Sequence, residues 1–312
     1  MNLLAFQGAI EQGLMYGLVA LGLFVSYRIL NVADLTVDGS FTLGAAVSVM
    51  MAFNGHPWLG ILLAVLAGMC AGIVTGLLQT KLRVQPILAG ILTMTALYSI
   101  NIWVMDGKPN VNLIGKDTIY TPFKTFFDAM GWRSPAGKGW EDLVVSFLFT
   151  SLAVVLVVLF LKTQIGFAVR ATGDNENMVR SSSINSDVTK LIGLAIANGS
   201  VGLAGAVLAQ SQRFADASMG IGMVVIGLAS LIIGEVILGH GGVLRGALAM
   251  IVGSILYRII IAFVLARNVA ASDLKLLSAV IVAVAISYPV LKEKIMLMRQ
   301  KRKLTKGGDD RA

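Results

Sequence analysis

Charge is what this sequence lacks most. Only 13% of its 312 residues are Asp, Glu, Lys or Arg, about half the share of an ordinary soluble domain. Together with 56% hydrophobic residues and a mean hydropathy of +0.82, that shortage excludes a water-soluble globular chain. Cysteine is nearly absent: Cys70 stands alone in an apolar run, so no disulfide within the chain can form. The two histidines, His56 and His240, lie far apart without cysteine neighbours, which argues against zinc. Catalytic signatures are missing as well. The nearest approach to a phosphate-binding loop, Gly115-Lys116-Asp117, lacks the first glycine and the hydroxyl residue, so the chain has no nucleotide site of that kind. Neither H-E-x-x-H nor G-x-S-x-G occurs. The expectation is a chain that is not an enzyme and holds no metal or cofactor of its own.

What is present is apolar sequence in lengths of about 20 residues, enough to cross a hydrocarbon core of about 30 Å. Nine candidate spans can be drawn, at 9–27, 40–56, 58–79, 86–105, 143–161, 189–209, 223–239, 243–265 and 274–291. The second is the weakest, because the polar stretch 31–40 runs straight into it, and counts of eight or ten stay open. The first nine residues contain no Lys or Arg, so the first apolar segment reads as a retained span and not as a cleaved leader. The expected fold is therefore an all-α polytopic membrane protein, one domain over 1–312.

The formal charge of +8 is concentrated at one end: eight of the 25 Lys and Arg residues follow Leu291. Such a tail, 292–312, reads as cytoplasmic anchoring to anionic lipid, not as a nucleic-acid site. With the tail inside and nine spans, the N-terminus lies outside. The inner segments then hold Arg28, Lys81, Arg83, Lys162, Arg170, Arg180, Lys190 and Arg245, and nine basic residues fall outside. The tail and the odd span count thus carry the orientation.

Four spans precede the fifth and four follow it. Units of four helices separated by a single span enter the membrane from opposite sides, which is the arrangement of an inverted repeat. The expected division is a first repeat at 9–105, an outer loop at 106–142, a connecting span at 143–161, an inner loop at 162–190, a second repeat at 189–291 and the basic tail. Within the outer loop, Phe123, Phe126, Phe127, Met130 and Trp132 suggest a short interfacial helix.

Polar residues at membrane depth are the candidate site. The stretch 31–44 brings Asn31, Asp34, Thr36, Asp38, Ser40 and Thr42 next to an apolar run. It reads equally as the lining of a water-filled pathway or as a loop in which Asp38 or Ser40 caps the next helix. Glu235 is the clearest acid inside an apolar run, and Asn198 adds polarity to the sixth span. Interhelical hydrogen bonding accounts for Asn198 without a ligand. Arg258 is too far from Glu235 in depth to be its partner, about 22 Å against about 6 Å from their inner ends by helical rise. The inner loop interrupts two apolar spans with Arg170, Asp174, Asn175, Glu176, Arg180 and three serines, and a turn at Gly173-Asp174-Asn175 is placed to start a short docking helix.

Three segments resemble the permease family of branched-chain amino acid and ribose ABC importers. Gly17-Leu-Val-Ala-Leu-Gly-Leu followed by 31–44 is similar to its opening A-L-G-L and D-L-S-x-G elements. Gly166-Phe-Ala-Val-Arg170-Ala171-Thr-Gly173-Asp174-Asn175, then Ile184-Asn185, resembles its cytoplasmic G-x-x-x-R-A-x-G-x-N…G-I-N signature, with Ser183 replacing a glycine. Ile237-Leu-Gly-His-Gly-Gly-Val-Leu-Arg-Gly246 resembles its V-L-G-G…G-x-x-x-G segment. The sugar-transporting members have an extra N-terminal span that this chain lacks, which draws it toward the amino-acid branch, and most closely toward members assigned to tryptophan, tyrosine or related solutes. The resemblance implies an import complex in the bacterial inner membrane. In it a second permease copy completes a dimer, two ABC ATPases use ATP and Mg, and an extracytoplasmic binding protein delivers the solute. It assigns 166–186 to ATPase coupling. The alternative reading is a secondary transporter driven by protons through Glu235, Asp34 or Asp38. A channel-like protein without energy coupling is a third.

Overall fold

The computed structural model describes residues 3–131, 139–239 and 241–266, with six single positions between 276 and 287. Eleven α-helices account for most of the described residues: α1 Leu3–Leu23, α2 Val37–Phe53, α3 Pro57–Thr80, α4 Pro86–Val104, α5 Thr121–Ala129, α6 Glu141–Leu161, α7 Gln164–Asp174, α8 Glu176–Ser181, α9 Ser186–Gln212, α10 Met223–Leu238 and α11 Val243–Leu265. α1 runs on without a break into a π-helical stretch, Phe24–Ile29. α3 and α4 each start on a proline, whose missing N–H and fixed φ suit a first helical turn.

Six of these helices are long and apolar enough to cross a membrane: Leu3–Ile29, α3, α4, α6, α9 and α11. α2 and α10 are shorter, with 17 and 16 residues, about 25 Å each by helical rise. Eight of the nine expected spans thus fall on helices, and the ninth, 274–291, lies outside the described residues. Leu3–Ile29 and α9 form the centre, with 83% and 78% of their apolar windows buried, whereas α3, α4, α6 and α11 stand at 28–39%. These outer helices expose Leu62, Leu66, Leu92, Leu156 and Leu159, an apolar surface that suits hydrocarbon better than water.

Two packing groups surround the centre. α9 lies against α2 and α3, and α1 lies against α10 and α11. In one group Gly44 meets the backbone of Gly202, whose Cα would stand 2.6 Å from any Cβ added at 44. Helices approach this closely only where both positions lack side chains. In the other group Ser254 Oγ donates to the Gly13 carbonyl at 2.7 Å, on the seam where Gly13 and Gly17 face Ile255 and Ile251.

Three further features go beyond the sequence reading or match it only in part. Two short strands pair antiparallel, β1 Asn110–Asn112 with β2 Phe214–Asp216, and Val111 lies opposite Ala215. Each strand is three residues of loop, and their pairing joins segments about a hundred residues apart, so no local pattern betrays it. The inner loop 162–190 is mostly helix, because Thr163 caps α7 through Gly166 N and Asn175 caps α8 through Met178 N. The second span starts at Val37, three residues earlier than expected, which absorbs Asp38 into a helix.

Candidate functional site

Both shorter helices start halfway through the bundle. Asn198 lies 12 residues after the start of α9 at Ser186 and 14 before its end at Gln212, about 18 Å along a helix of about 40 Å. The chain leaves the π-helical stretch at Ile29, and residues 30–36 return to that level as a non-helical break. There Asn198 Nδ2 donates to Asp34 Oδ2 at 2.6 Å, and Ser40 Oγ donates to Asn198 Oδ1 at 2.7 Å. From this junction α2 continues to the end that carries the strands. Packed against α2, β2 and residues 217–222 descend from that same end, and α10 starts beside Asp38. These two shorter helices therefore start at mid-depth and run in opposite directions.

The junction is polar, buried and internally satisfied. Asp34 Oδ1 accepts from Thr36 N at 2.9 Å, which closes the break onto the first turn of α2. The Thr36 hydroxyl pairs with that of Thr75 on α3 at 2.7 Å. Asp34, Thr36, Ser40, Asn198 and Thr75 are all buried, so five polar side chains from four segments meet where a span has no water to offer. Asp38 and Thr42 form a second group facing residues 220–224. Neither Asp38 nor Ser40 caps α2, whose N-cap is Thr36 with no side-chain bond; Asp38 instead accepts from the first N–H groups of α10.

Not every expected residue joins this group. Asn31 is exposed at the end of α1 with φ of 54°, where the chain turns into the break. Glu235 lies near the last turn of α10, where its Oε1 is 2.9 Å from Arg28 Nε. Arg258 takes another partner, its guanidinium lying 4.0 Å over the Tyr16 ring. Thr75 and Arg28 were not singled out from sequence. Thr75 was findable, since it shares a helical face with Gly68, Gly72 and Gly76, all of which pack toward α9. Gln210 accepts from Ile119 N at 2.9 Å and donates to Ser48 Oγ at 2.8 Å, which fastens the segment before α5 to α2 and α9.

At the opposite end from the strands, α7 and α8 form a braced block. The Thr172 and Thr189 hydroxyls pair at 2.7 Å, and Val179 is buried against the block. Glu176 accepts from Lys190 Nζ at 2.6 Å, from Arg180 at 2.9 Å and from Ser186 Oγ at 3.1 Å. The Lys190 bond above all holds this carboxyl below its usual range, with Ser186 and Arg180 adding to it against the opposing effect of burial. Asp187 links the block to the α3–α4 turn through Lys81 at 3.6 Å. Gly173 sits directly on the Ile29 carbonyl, so α7 touches the chain where the break starts. Asn185 caps α9, and Arg170 lies over the Phe167 ring. Gly166 is the α7 position bonded to Thr163, Ala171 and Asp174 lie in its last turns, and Asp174 faces solvent. Met178 at 65% exposure and Ile184 at 39% project from the surface of the block, as do Ile165 and Phe167 of α7.

This geometry agrees with what the chain is related to. The family described as "Branched-chain amino acid transport system / permease component" matches residues 6–288. The chain belongs to that family. It is similar to the tyrosine transport system permease protein of Clostridioides difficile, 38% identical over 272 residues, covering 87% of this chain and 86% of that one. It is also similar to an uncharacterized protein of Rickettsia prowazekii, 31% identical over 283 residues, covering 89% and 95%. Among solved structures, the PsaBC complex of Streptococcus pneumoniae with a Fab shares the fold at TM-score 0.51 and 14% identity, over 90% of this chain and 89% of that one. The family member is thus a multi-pass membrane protein of the ABC permease type.

Proposed function

We propose that this chain is the membrane-spanning subunit of an ATP-driven importer and forms half of the pathway for a small polar solute of the amino-acid class. The observation that carries the reading is the match over residues 6–288 to a permease family, on a chain without a phosphate-binding loop. Energy must then arrive from a separate ATPase. The α7–α8 block supports this: it is rigid, it touches the break through Gly173, and it presents Met178 and Ile184 outward. A rigid helix end of this kind transmits a displacement into the spans beside it. The polar junction is the proposed inner part of the pathway, with Asp34, Asp38, Ser40, Thr42 and Asn198 near it. A second permease copy, two ATPases and an extracytoplasmic binding protein complete the assembly, with the block on the cytoplasmic side and the N-terminus outside. An amino acid is favoured because the relative from Clostridioides difficile is named for tyrosine.

Glu176→Lys tests the coupling assignment. It places a cation beside Lys190 and Arg180 in place of their acceptor, so the α7–α8 block should detach from α9. The variant is expected to insert normally, yet to lose co-purifying ATPase or at least about ten-fold of solute-stimulated hydrolysis. Wild-type stimulation in Glu176→Lys would remove the block from the mechanism.

A further inference from the structure

α10 starts at mid-depth without a cap of its own. Its N-cap is Gly222, with φ of 92° and no side chain to accept a hydrogen bond. A helix start leaves its first N–H groups unpaired, and within a span no water supplies the missing acceptor. The acceptors come from another helix. Asp38 Oδ2 accepts from Gly222 N and Asp38 Oδ1 from Val224 N, both at 2.9 Å, and Thr42 Oγ1 accepts from Gly220 N at 3.0 Å. Asp38 and Thr42 are one turn apart on a single face of α2.

The two faces of α2 are held in different ways. Against α9 it is fixed by backbone contact at Gly44 and Gly202. Against the descending segment the close backbone contact is at the Asp38 end, where Gly220 lies on the Asp38 carbonyl; beyond it runs a seam of mostly small side chains, with Ala215 and Ala217 packed in one cluster with Ala45, Ala46 and Val49. Such a seam buries little area per residue, so it holds only weakly by itself. The segment also has a left-handed residue at each end, Arg213 at φ 61° and Gly222 at φ 92°, positions able to absorb a backbone rotation. We propose that residues 213–222, with strand β1 attached, are a gate that opens along this seam toward the strand end, and that Asp38 and Thr42 are its latch. The proposal deepens the transport reading by naming the contact that separates the mid-depth junction from that side.

The test uses the full chain with Cys70→Ser and a reporter, Ala46→Cys, at a position fully buried in the seam. Ser254→Cys, on the α1–α11 contact, serves as a control in a parallel chain. Labelling by a small membrane-impermeant thiol reagent is timed with the latch intact, with Asp38→Ala and with Thr42→Val. Opening of the seam predicts a ten-fold or greater rise in the Ala46→Cys rate in both latch variants, with the Ser254→Cys control staying protected. A protected reporter in both variants overturns the gate. If Asp38→Ala exposes the control as well, the bundle has loosened and Thr42→Val decides, an unchanged rate there overturning the proposal. Labelling requires neither ATPase nor solute, so it is read independently of whether import is ATP-driven.

Discussion

Asp34 shows what a single residue does at mid-depth. A carboxylate in a span is costly, and this one is accommodated by the Asn198 amide and the Thr36 N–H. Asp34→Ala removes the acceptor of two buried hydrogen bonds, worth about 0.5–1.5 kcal/mol each. Asn198 keeps its bonds to Ser40 and to the Leu194 carbonyl. The variant should therefore assemble while the break loses its anchor, and transport should fall by about ten-fold or more. Unchanged uptake in assembled Asp34→Ala protein would take this residue out of the pathway. The sequence made Asp34, Ser40 and Asn198 visible as polar residues in apolar surroundings, because hydropathy is local. It did not show that they touch, since their contacts join positions more than 150 apart in the chain. For the same reason Asp38 was legible as a capping residue, while the helix it caps was not.

At the scale of elements, the spans were legible because each is a long apolar run bounded by glycine, proline or charge. The strand pair and the mid-depth start of α10 were not, because both depend on segments remote in sequence. The α7–α8 block was partly legible: the turn at Gly173–Asn175 marked a helix start, but the bonds that brace it to α9 were not visible. Those bonds make a pH prediction. Glu176 is held below the ordinary carboxylate range, so its bracing is complete above an unfolded-state value of about 4.3 and is lost as the pH falls through the lower folded-state value. A spin label at Met178→Cys should be immobile near neutral pH and become mobile only once the pH has fallen below the ordinary glutamate range, as the carboxylate protonates. Glu176→Gln should make it mobile throughout. A label equally immobile at neutral and acid pH in both proteins would show that Glu176 does not brace the block.

For the molecule as a whole, the proposed orientation rests on charge. Arg28, Lys81, Arg170, Arg180, Lys190 and Arg245 belong to segments at the α7–α8 end, the side on which the positive-inside tendency expects them. Single cysteines at Lys116 and at Asn175, in a chain with Cys70→Ser, should be labelled from opposite faces, Asn175→Cys only from the cytoplasm. Outer labelling at Asn175→Cys would invert the arrangement. The central claim is that energy comes from a partner ATPase and not from the intramembrane acids. Its most direct measurement is uptake into proteoliposomes that hold the chain with its co-purified ATPase and are supplied with binding protein loaded with labelled L-tyrosine or another L-amino acid that it binds. The account predicts accumulation that requires internal or external ATP on the ATPase side, persists when the proton gradient is collapsed, and is absent from liposomes holding this chain alone. Accumulation by the chain alone, driven by an imposed proton gradient and abolished by Glu235→Gln or Asp34→Asn, would contradict it.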